Sequence, residues 1–239
     1  MTQTQQQEAI ELMELIDRTL TQNNIWYTLS YGSALGAVRE KGFIKWDGDI
    51  DILIRITDQD KVREVLKQVL PSKYILLGCD EQTIAGFDEI DVEGISSDDL
   101  HIDIYPLVAG PDDAEKGYRF MRWCRFVHRV FTCKYVDYDR LQSKWKIPFV
   151  ALIALIERLI PDNVFRRYYR TMFTKYDLEK AKYAFPLGND GRKNEYMEKD
   201  LMLQTKRTAF EHLSLPVPQN STKYLTLVYG EDYMTPKKY

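Results

Sequence analysis

Apolar residues recur three and four apart at Ile10, Met13, Ile16 and Leu20, which predicts an amphipathic helix over Ala9 to Leu20, ended by Asn23-Asn24. Ile25 to Ser30 is rich in β-formers and reads as a first strand. Tyr31-Gly32-Ser33 then turns into a short helix, Ala34 to Glu40, and Lys41-Gly42 is a turn. Asp49 to Arg55 alternates acid and aliphatic residues and reads as a second strand. Asp60 to Leu70 follows as a helix stopped by Pro71. Tyr74 to Leu77 is a short strand, Thr83 to Gly94 reads as a hairpin, and Leu100 to Leu107 alternates again as a strand.

The second half reads differently. Arg119 to Phe131, Ile147 to Ile160 and Val164 to Lys182 carry helical patterns, and a polar loop runs from Gly188 to Asn194. The tail is punctuated by Pro216, Pro218 and Pro236, with a helical patch at Thr222 to Tyr229. The expected class is α+β: a small mixed β-sheet flanked by helices, then a mostly helical C-terminal part. The loop Gly110-Pro111-Asp112-Asp113 divides an N-terminal core, residues 1–111, from a C-terminal part, 112–239, that completes the site; the alternative is one compact domain.

Composition narrows the function. With 44% hydrophobic and 29% charged residues the chain is globular, and its formal net charge of −3 argues against a broadly basic nucleic-acid binder. Cys79, Cys124 and Cys133 are odd in number and fit no zinc spacing, which points to a reducing, cytoplasmic setting. The N-terminus lacks the pattern of a signal peptide, and no apolar run reaches the roughly 18 residues of a spanning helix. Trp145 to Leu159, WKIPFVALIALIERL, reads as a buried core helix; the alternative is peripheral contact with a membrane surface, at the inner face. The basic stretch Arg119 to Arg129, with Arg166, Arg167 and Arg170, is either a solvated face or one that meets acidic lipid or polymer.

The chemistry concentrates in Tyr31 to Ile54, YGSALGAVREKGFIKWDGDIDILI. Gly32-Ser33 lies between strand and helix, where a glycine lets backbone approach a phosphate and a helix N-terminus offers free N–H donors. Alternate residues of a strand share a face, so Asp47, Asp49 and Asp51 crowd one side while Ile50, Ile52 and Ile54 pack on the other. Crowded carboxylates call for a cation, and a divalent ion, Mg²⁺ or Mn²⁺, would orient a phosphoryl group. His101-Ile102-Asp103-Ile104-Tyr105 alternates in the same way and brings a third carboxylate, Asp103, inward.

These stretches resemble the LicD family, to which fukutin-related protein is a distant relative. The family's GxxLGAxR turn, GFIPWDDDIDI stretch and later IDIFPL strand are matched by Gly32 to Arg39, by Gly42 to Ile52 and by Ile102 to Leu107. Phe210-Glu211, Pro216-Val217-Pro218, Tyr224-Leu225 and Tyr229 to Pro236 are similar to its C-terminal signals. Gly48 replaces the middle acid of the family's triplet, Lys45 its usual proline, and His212 the glycine after Phe-Glu. The resemblance implies a nucleotidyltransferase-like fold and transfer of a phospho-alcohol, phosphocholine first, from a CDP-alcohol. The acceptor it implies is a sugar hydroxyl of a surface glycan, lipid-linked glycan or teichoic acid.

Residue roles follow from that resemblance and the side-chain chemistry. Asp49 and Asp51 hold the metal; Asp103 completes the set or acts as general base on the acceptor hydroxyl. Gly32, Ser33 and nearby backbone N–H groups hold phosphate oxygens, with Arg39 as a bidentate clamp and Lys45 as a cation at the mouth. Asp47 joins the acidic face. Trp46 either stacks on a base or sugar or packs the start of the strand, and Glu211 is either an acceptor contact or a surface acid. His101 is a hydrogen-bonding neighbour rather than a ligand. Tyr168, Tyr169, Tyr196 and Tyr233 are candidate walls of a cage for a choline cation. Two competing readings remain: a nucleotidyltransferase moving NMP from an NTP to a small molecule, protein or RNA, and a non-catalytic glycan- or nucleotide-binding module.

Overall fold

A computed structural model describes residues 3–47, 49–76, 90–94, 101–132, 144–188 and 191–236. Gly48, Cys79, Cys133 and the first half of the expected hairpin, residues 83–89, lie outside the described residues.

The architecture is α+β. Helix α1 (Gln3–Gln22) starts earlier than its apolar spacing suggests, but the stripe of Ala9, Leu12, Met13, Ile16 and Leu20 is fully buried. Strand β1 (Tyr27–Leu29) leads into helix α2 (Tyr31–Arg39), then to strand β2 (Asp49–Arg55), helix α3 (Gln59–Val69), and strands β3 (Tyr74–Leu76), β4 (Ile90–Gly94) and β5 (His101–Ala109). These strands form one mixed sheet in the order β1-β2-β5-β4-β3. Among the described strands only β2 and β5 run parallel, side by side, and their register sets Asp49 opposite His101 and Asp51 opposite Asp103. On the far face Ile50, Ile52, Ile54, Ile102 and Ile104 are wholly buried, so apolar packing fixes which way the acids point.

The C-terminal part supplies helices α4 (Ala114–Thr132), α5 (Ile147–Glu157), α6 (Asp162–Phe173), α7 (Asp200–Leu203) and α8 (Ser221–Tyr229). Among the described residues it also supplies four strands where the sequence reading expects none. Strand β6 (Tyr183–Pro186) joins the sheet through antiparallel pairing with the end of β5, and β7 (Met197–Glu198) pairs with β6. Strands β8 (Thr205–Phe210) and β9 (Leu213–Pro218) form a separate hairpin. The expected helix over Val164 to Lys182 ends at Phe173. One apolar core lies around the sheet and draws on both halves; a second gathers Met121, Cys124, Tyr169, Phe173 and Phe185 beneath α4 and α6.

Helix α2 ends against the loop that feeds β2. A Cβ on Gly36 would stand 2.4 Å from the carbonyl oxygen of Gly42, a backbone atom with no room to retreat. Gly36→Ala is therefore expected to cost about 1–3 kcal/mol and to lower the melting temperature measurably. A Cβ on Gly32 meets first the carboxylate end of Asp47, a side-chain group that can give where backbone cannot, so Gly32→Ala should lower the melt less than Gly36→Ala.

Candidate active site

Asp49 and Asp51 of β2 and Tyr105 of β5 line a cleft in two adjoining lobes, of about 280 and 470 Å³. Together these have the size of a small-molecule site. Tyr31, Asp51, Arg192, Val228 and Tyr229 line both lobes. The larger adds Gly32, Arg39, Trp46, Asp47 and Asp49; the smaller adds Tyr105, Asn194 and Glu195.

Local structure explains how these residues are held. Ser30 N–H donates to the Asp51 carbonyl at 2.9 Å, tying the start of α2 to β2. Asp51 N–H donates to Ser33 Oγ at 2.8 Å, and Ser33 is buried. Ser33 thus fixes the strand against the helix turn instead of facing the cleft as a phosphate holder. Tyr31, the first residue of α2, has φ +42°, a strained setting for an aromatic residue. It is held there by its N–H donating to Tyr224 Oη at 3.3 Å, which brings α8 onto the site.

The carboxylates are not equivalent. Oxygens of Asp49 and Asp103 and a ring nitrogen of His101 lie within 4.8 Å of one another. His101 Nε2 is 3.6 Å from Asp49 Oδ2 and 4.0 Å from Asp103 Oδ2. Tyr105 Oη donates to Asp103 Oδ2 at 2.9 Å. The hydrogen bond with His101 holds the Asp49 carboxyl below its ordinary range, against the effect of its burial. Asp51 is buried, and burial followed by the charges of Asp49, Asp103 and Asp47 pushes its carboxyl well above the usual carboxylate range. A buried carboxylate facing three others is costly without a cation. Two carboxylates and an imidazole converging from neighbouring strands are donors that suit a divalent ion, so the residues fit a metal. His101 stands as a candidate ligand beside Asp49 and Asp103, whereas its sequence context suggests only a hydrogen-bonding neighbour.

The remaining sequence candidates separate. Arg39 reaches the larger lobe, but its guanidinium is committed: Nε to Glu40 Oε1 at 2.7 Å and an Nη to the Tyr233 carbonyl at 3.0 Å. Lys45 is exposed and not among the residues lining the cleft, while Trp46 and Asp47 line its wall. Glu211 sits in the β8–β9 turn with φ +52°, outside the cleft lining. Its Oε1 accepts from Phe43 N–H at 3.2 Å and its own N–H donates to the Lys41 carbonyl, so it clasps the loop that leads to Asp47 and Asp49. Among the cage candidates, Tyr169 is buried against His128, Tyr196 against Pro111 and Tyr233 in the core, and exposed Tyr168 lies elsewhere on α6. The tyrosines that line the cleft are Tyr31, Tyr105 and Tyr229. Arg192 and Glu195, joined by Arg192 N–H donating to Glu195 Oε2 at 2.6 Å, also escape the sequence reading. The signal for them was a cation inside the polar loop Gly188 to Asn194 and an acid directly after it.

Residues 24–153, more than half of the chain, match the family model described as LicD/FKTN/FKRP, nucleotidyltransferase domain, and the chain belongs to that family. It is 22% identical over 244 residues to Lipopolysaccharide cholinephosphotransferase LicD of Haemophilus influenzae, covering 96% of this chain and 90% of that protein. A 64-residue stretch is 41% identical to an uncharacterized protein of Rickettsia prowazekii, covering 26% of this chain and 24% of that one, so this chain matches about a quarter of that relative's length. A solved terminal uridylyl transferase 4 from Trypanosoma brucei with bound GTP aligns over 50% of this chain and 38% of its own at 10% identity, with a TM-score of 0.26, too slight to carry an argument. Among the described residues no helix is long and apolar enough to cross a membrane.

Proposed function

We propose that this chain transfers a phospho-alcohol, phosphocholine in the first instance, from a CDP-alcohol to a sugar hydroxyl of a surface glycan or teichoic acid. The observation that carries the reading is the convergence of Asp49, His101 and Asp103, with Asp51 opposite Asp103, beside a cleft lined by Asp49, Asp51 and three tyrosines. Asp49, His101 and Asp103 would hold a divalent ion, with Asp51 beside them. The imidazole favours Mn²⁺ over Mg²⁺ in that set. When bound, the ion supplies Lewis-acid neutralisation of phosphoryl charge.

The chain's own residues do the rest. Arg192 reaches the phosphoryl oxygens from the loop side, and the first turn of α2 at Gly32 meets them from the other. The smaller lobe offers Tyr31, Tyr105 and Tyr229 with the acids Asp51 and Glu195, a chemistry suited to a trimethylammonium group. Asp103, oriented by Tyr105, takes the proton of the attacking hydroxyl. The new bond joins the sugar oxygen to the phosphorus of the phospho-alcohol; the bond that breaks is the bridging P–O bond to CMP, which leaves with the electron pair.

The family description as a nucleotidyltransferase domain favours a second reading, NMP transfer from an NTP. One assay separates them. CMP release is measured from CDP-choline, CDP-ribitol and CDP-glycerol, with Mn²⁺, Mg²⁺ or chelator, and pyrophosphate release from CTP and ATP, each with mixed glycan acceptors. Metal-dependent CMP from one CDP-alcohol is expected. Pyrophosphate from an NTP with the CDP-alcohols inert would transfer the assignment to the second reading.

A further inference from the structure

The apolar segment that reads as a core helix is not one. Helix α5 turns a narrow stripe to the protein, with Ala154 buried and Ile147, Val150 and Ile153 half-buried. Its outer stripe of Phe149, Leu152, Leu155 and Ile156 is exposed, flanked by Trp145 at 70% and Leu159 at 79% exposure. Trp145 and Phe149 meet edge to face with centroids 6.4 Å apart, within the roughly 4.5–7 Å typical of such pairs. Helix α4, against which α5 rests, adds exposed Trp123 and Phe126. Monomers rarely leave so continuous an apolar surface open to water.

Charge says what covers it. Over residues 114–132 and 144–173 the chain carries eleven Lys and Arg against three Asp and Glu, although the whole chain has a net charge of −3. Lys144, Lys146 and Arg158 bracket the apolar ridge, and Arg119, Arg122, Arg129 and Arg167 are exposed on the neighbouring helices. A second copy of the same face would bring like charge against like charge. Helix α5, at 11 residues, is too short to span a bilayer. An apolar ridge bordered by tryptophan and cations is the composition of a helix lying in the headgroup region of anionic lipid.

We propose that the face formed by α4, α5 and α6 docks on an anionic membrane surface, with Trp145, Phe149, Leu152, Ile156 and Leu159 inserted at the headgroup boundary. The face is tied to the cleft: a Cβ on Gly191 would fall 2.5 Å from the Arg125 Nε of α4, so the loop carrying Arg192 rests on the docking helices. Docking would hold the cleft near lipid-linked acceptors, a consequence that rests on the proposed function; the binding itself does not.

The test is co-sedimentation of the full chain with vesicles of phosphatidylglycerol and phosphatidylcholine in equal parts, against pure phosphatidylcholine, with light scattering of the lipid-free protein. Binding to the anionic vesicles that weakens with salt is expected. Leu152→Asp with Ile156→Asp should lower partitioning at least about tenfold, since both apolar side chains that would insert are lost and charges put in their place. The surface pair Arg158→Glu and Arg167→Glu should weaken it without touching the apolar ridge, and circular dichroism checks that both variants fold. Wild-type protein that stays with the supernatant at low salt, or that is a dimer broken by Leu152→Asp and indifferent to vesicles, would overturn the proposal. CMP release without acceptor lipid is unaffected by either result, so failure here and failure of the transfer reading are separable.

Discussion

Asp51→Asn is expected to lower turnover by about three orders of magnitude, the several kcal/mol that a metal-organised phosphoryl site supplies, while raising the melting temperature of the metal-free protein. The two effects share one cause. Asp51 is buried and faces the charges of Asp49, Asp103 and Asp47, so its carboxylate is disfavoured unless a cation answers it. Asparagine has nearly the same shape and no charge, and relieves the repulsion. The sign with pH follows. With its folded-state value raised, Asp51 contributes stability below the ordinary aspartate range, near pH 4, and that stability is lost as pH rises through the folded value. Metal-free wild type should therefore weaken as pH rises above about 4, and Asp51→Asn should flatten that fall. Asp49→Asn should lose turnover equally but gain no stability, because His101 holds the Asp49 carboxyl low and its contribution is lost only as pH falls. Thermal melts in chelator and in Mn²⁺, beside single-turnover assays, measure both quantities. Normal turnover in either variant, or an Asp51→Asn protein less stable than wild type in chelator, would remove the charge-crowding account.

The contrast between β2 and the β8–β9 hairpin shows what a single sequence makes legible. Asp49 to Arg55 and His101 to Tyr105 alternate so strictly that strand, buried face and acidic face all follow from period-two side-chain geometry. Thr205–Phe210 carries no such alternation; Leu213, Leu215 and Val217 do alternate, but Pro216 and Pro218 argue against a strand unless it lies at an edge, where β9 lies. Glu211 was visible as a residue of interest but not as a clasp, because its partners at Lys41 and Phe43 are distant in sequence and meet it only after the hairpin folds back. Ser33 was legible as important for the same turn, yet its hydroxyl serves the backbone of Asp51. Helix α5 marks a different limit. Apolar residues all round a helix state that it needs covering; the cover belongs to another surface, and only exposure and the surrounding charge identify its kind.

Arg192→Ala is expected to cut kcat/KM for the CDP-alcohol by about 10- to 100-fold, the range for loss of a hydrogen bond to a charged group. The position earns this through geometry that Arg39 lacks. Arg192 lines both lobes beside Asp51 and Tyr229, on a short turn pinned by Glu195, which is itself buried. Arg39 touches the larger lobe with a guanidinium already committed to Glu40 and the Tyr233 carbonyl, so it staples the C-terminal segment to α2. The two arginines should therefore separate by readout. Arg39→Ala should lower thermal stability with little change in kcat/KM of the folded fraction. Arg192→Ala should lower kcat/KM of the folded fraction and act on the donor. Arg192→Lys should recover part of the loss, because an ammonium restores the charge but not the planar two-pronged contact with phosphate oxygens. Steady-state kinetics over a donor concentration series, with a melt of each variant, decides it. An Arg192→Ala enzyme with unchanged donor dependence, beside an Arg39→Ala enzyme that has lost it, would return the phosphate contact to Arg39 and leave the loop from Gly188 as a structural wall.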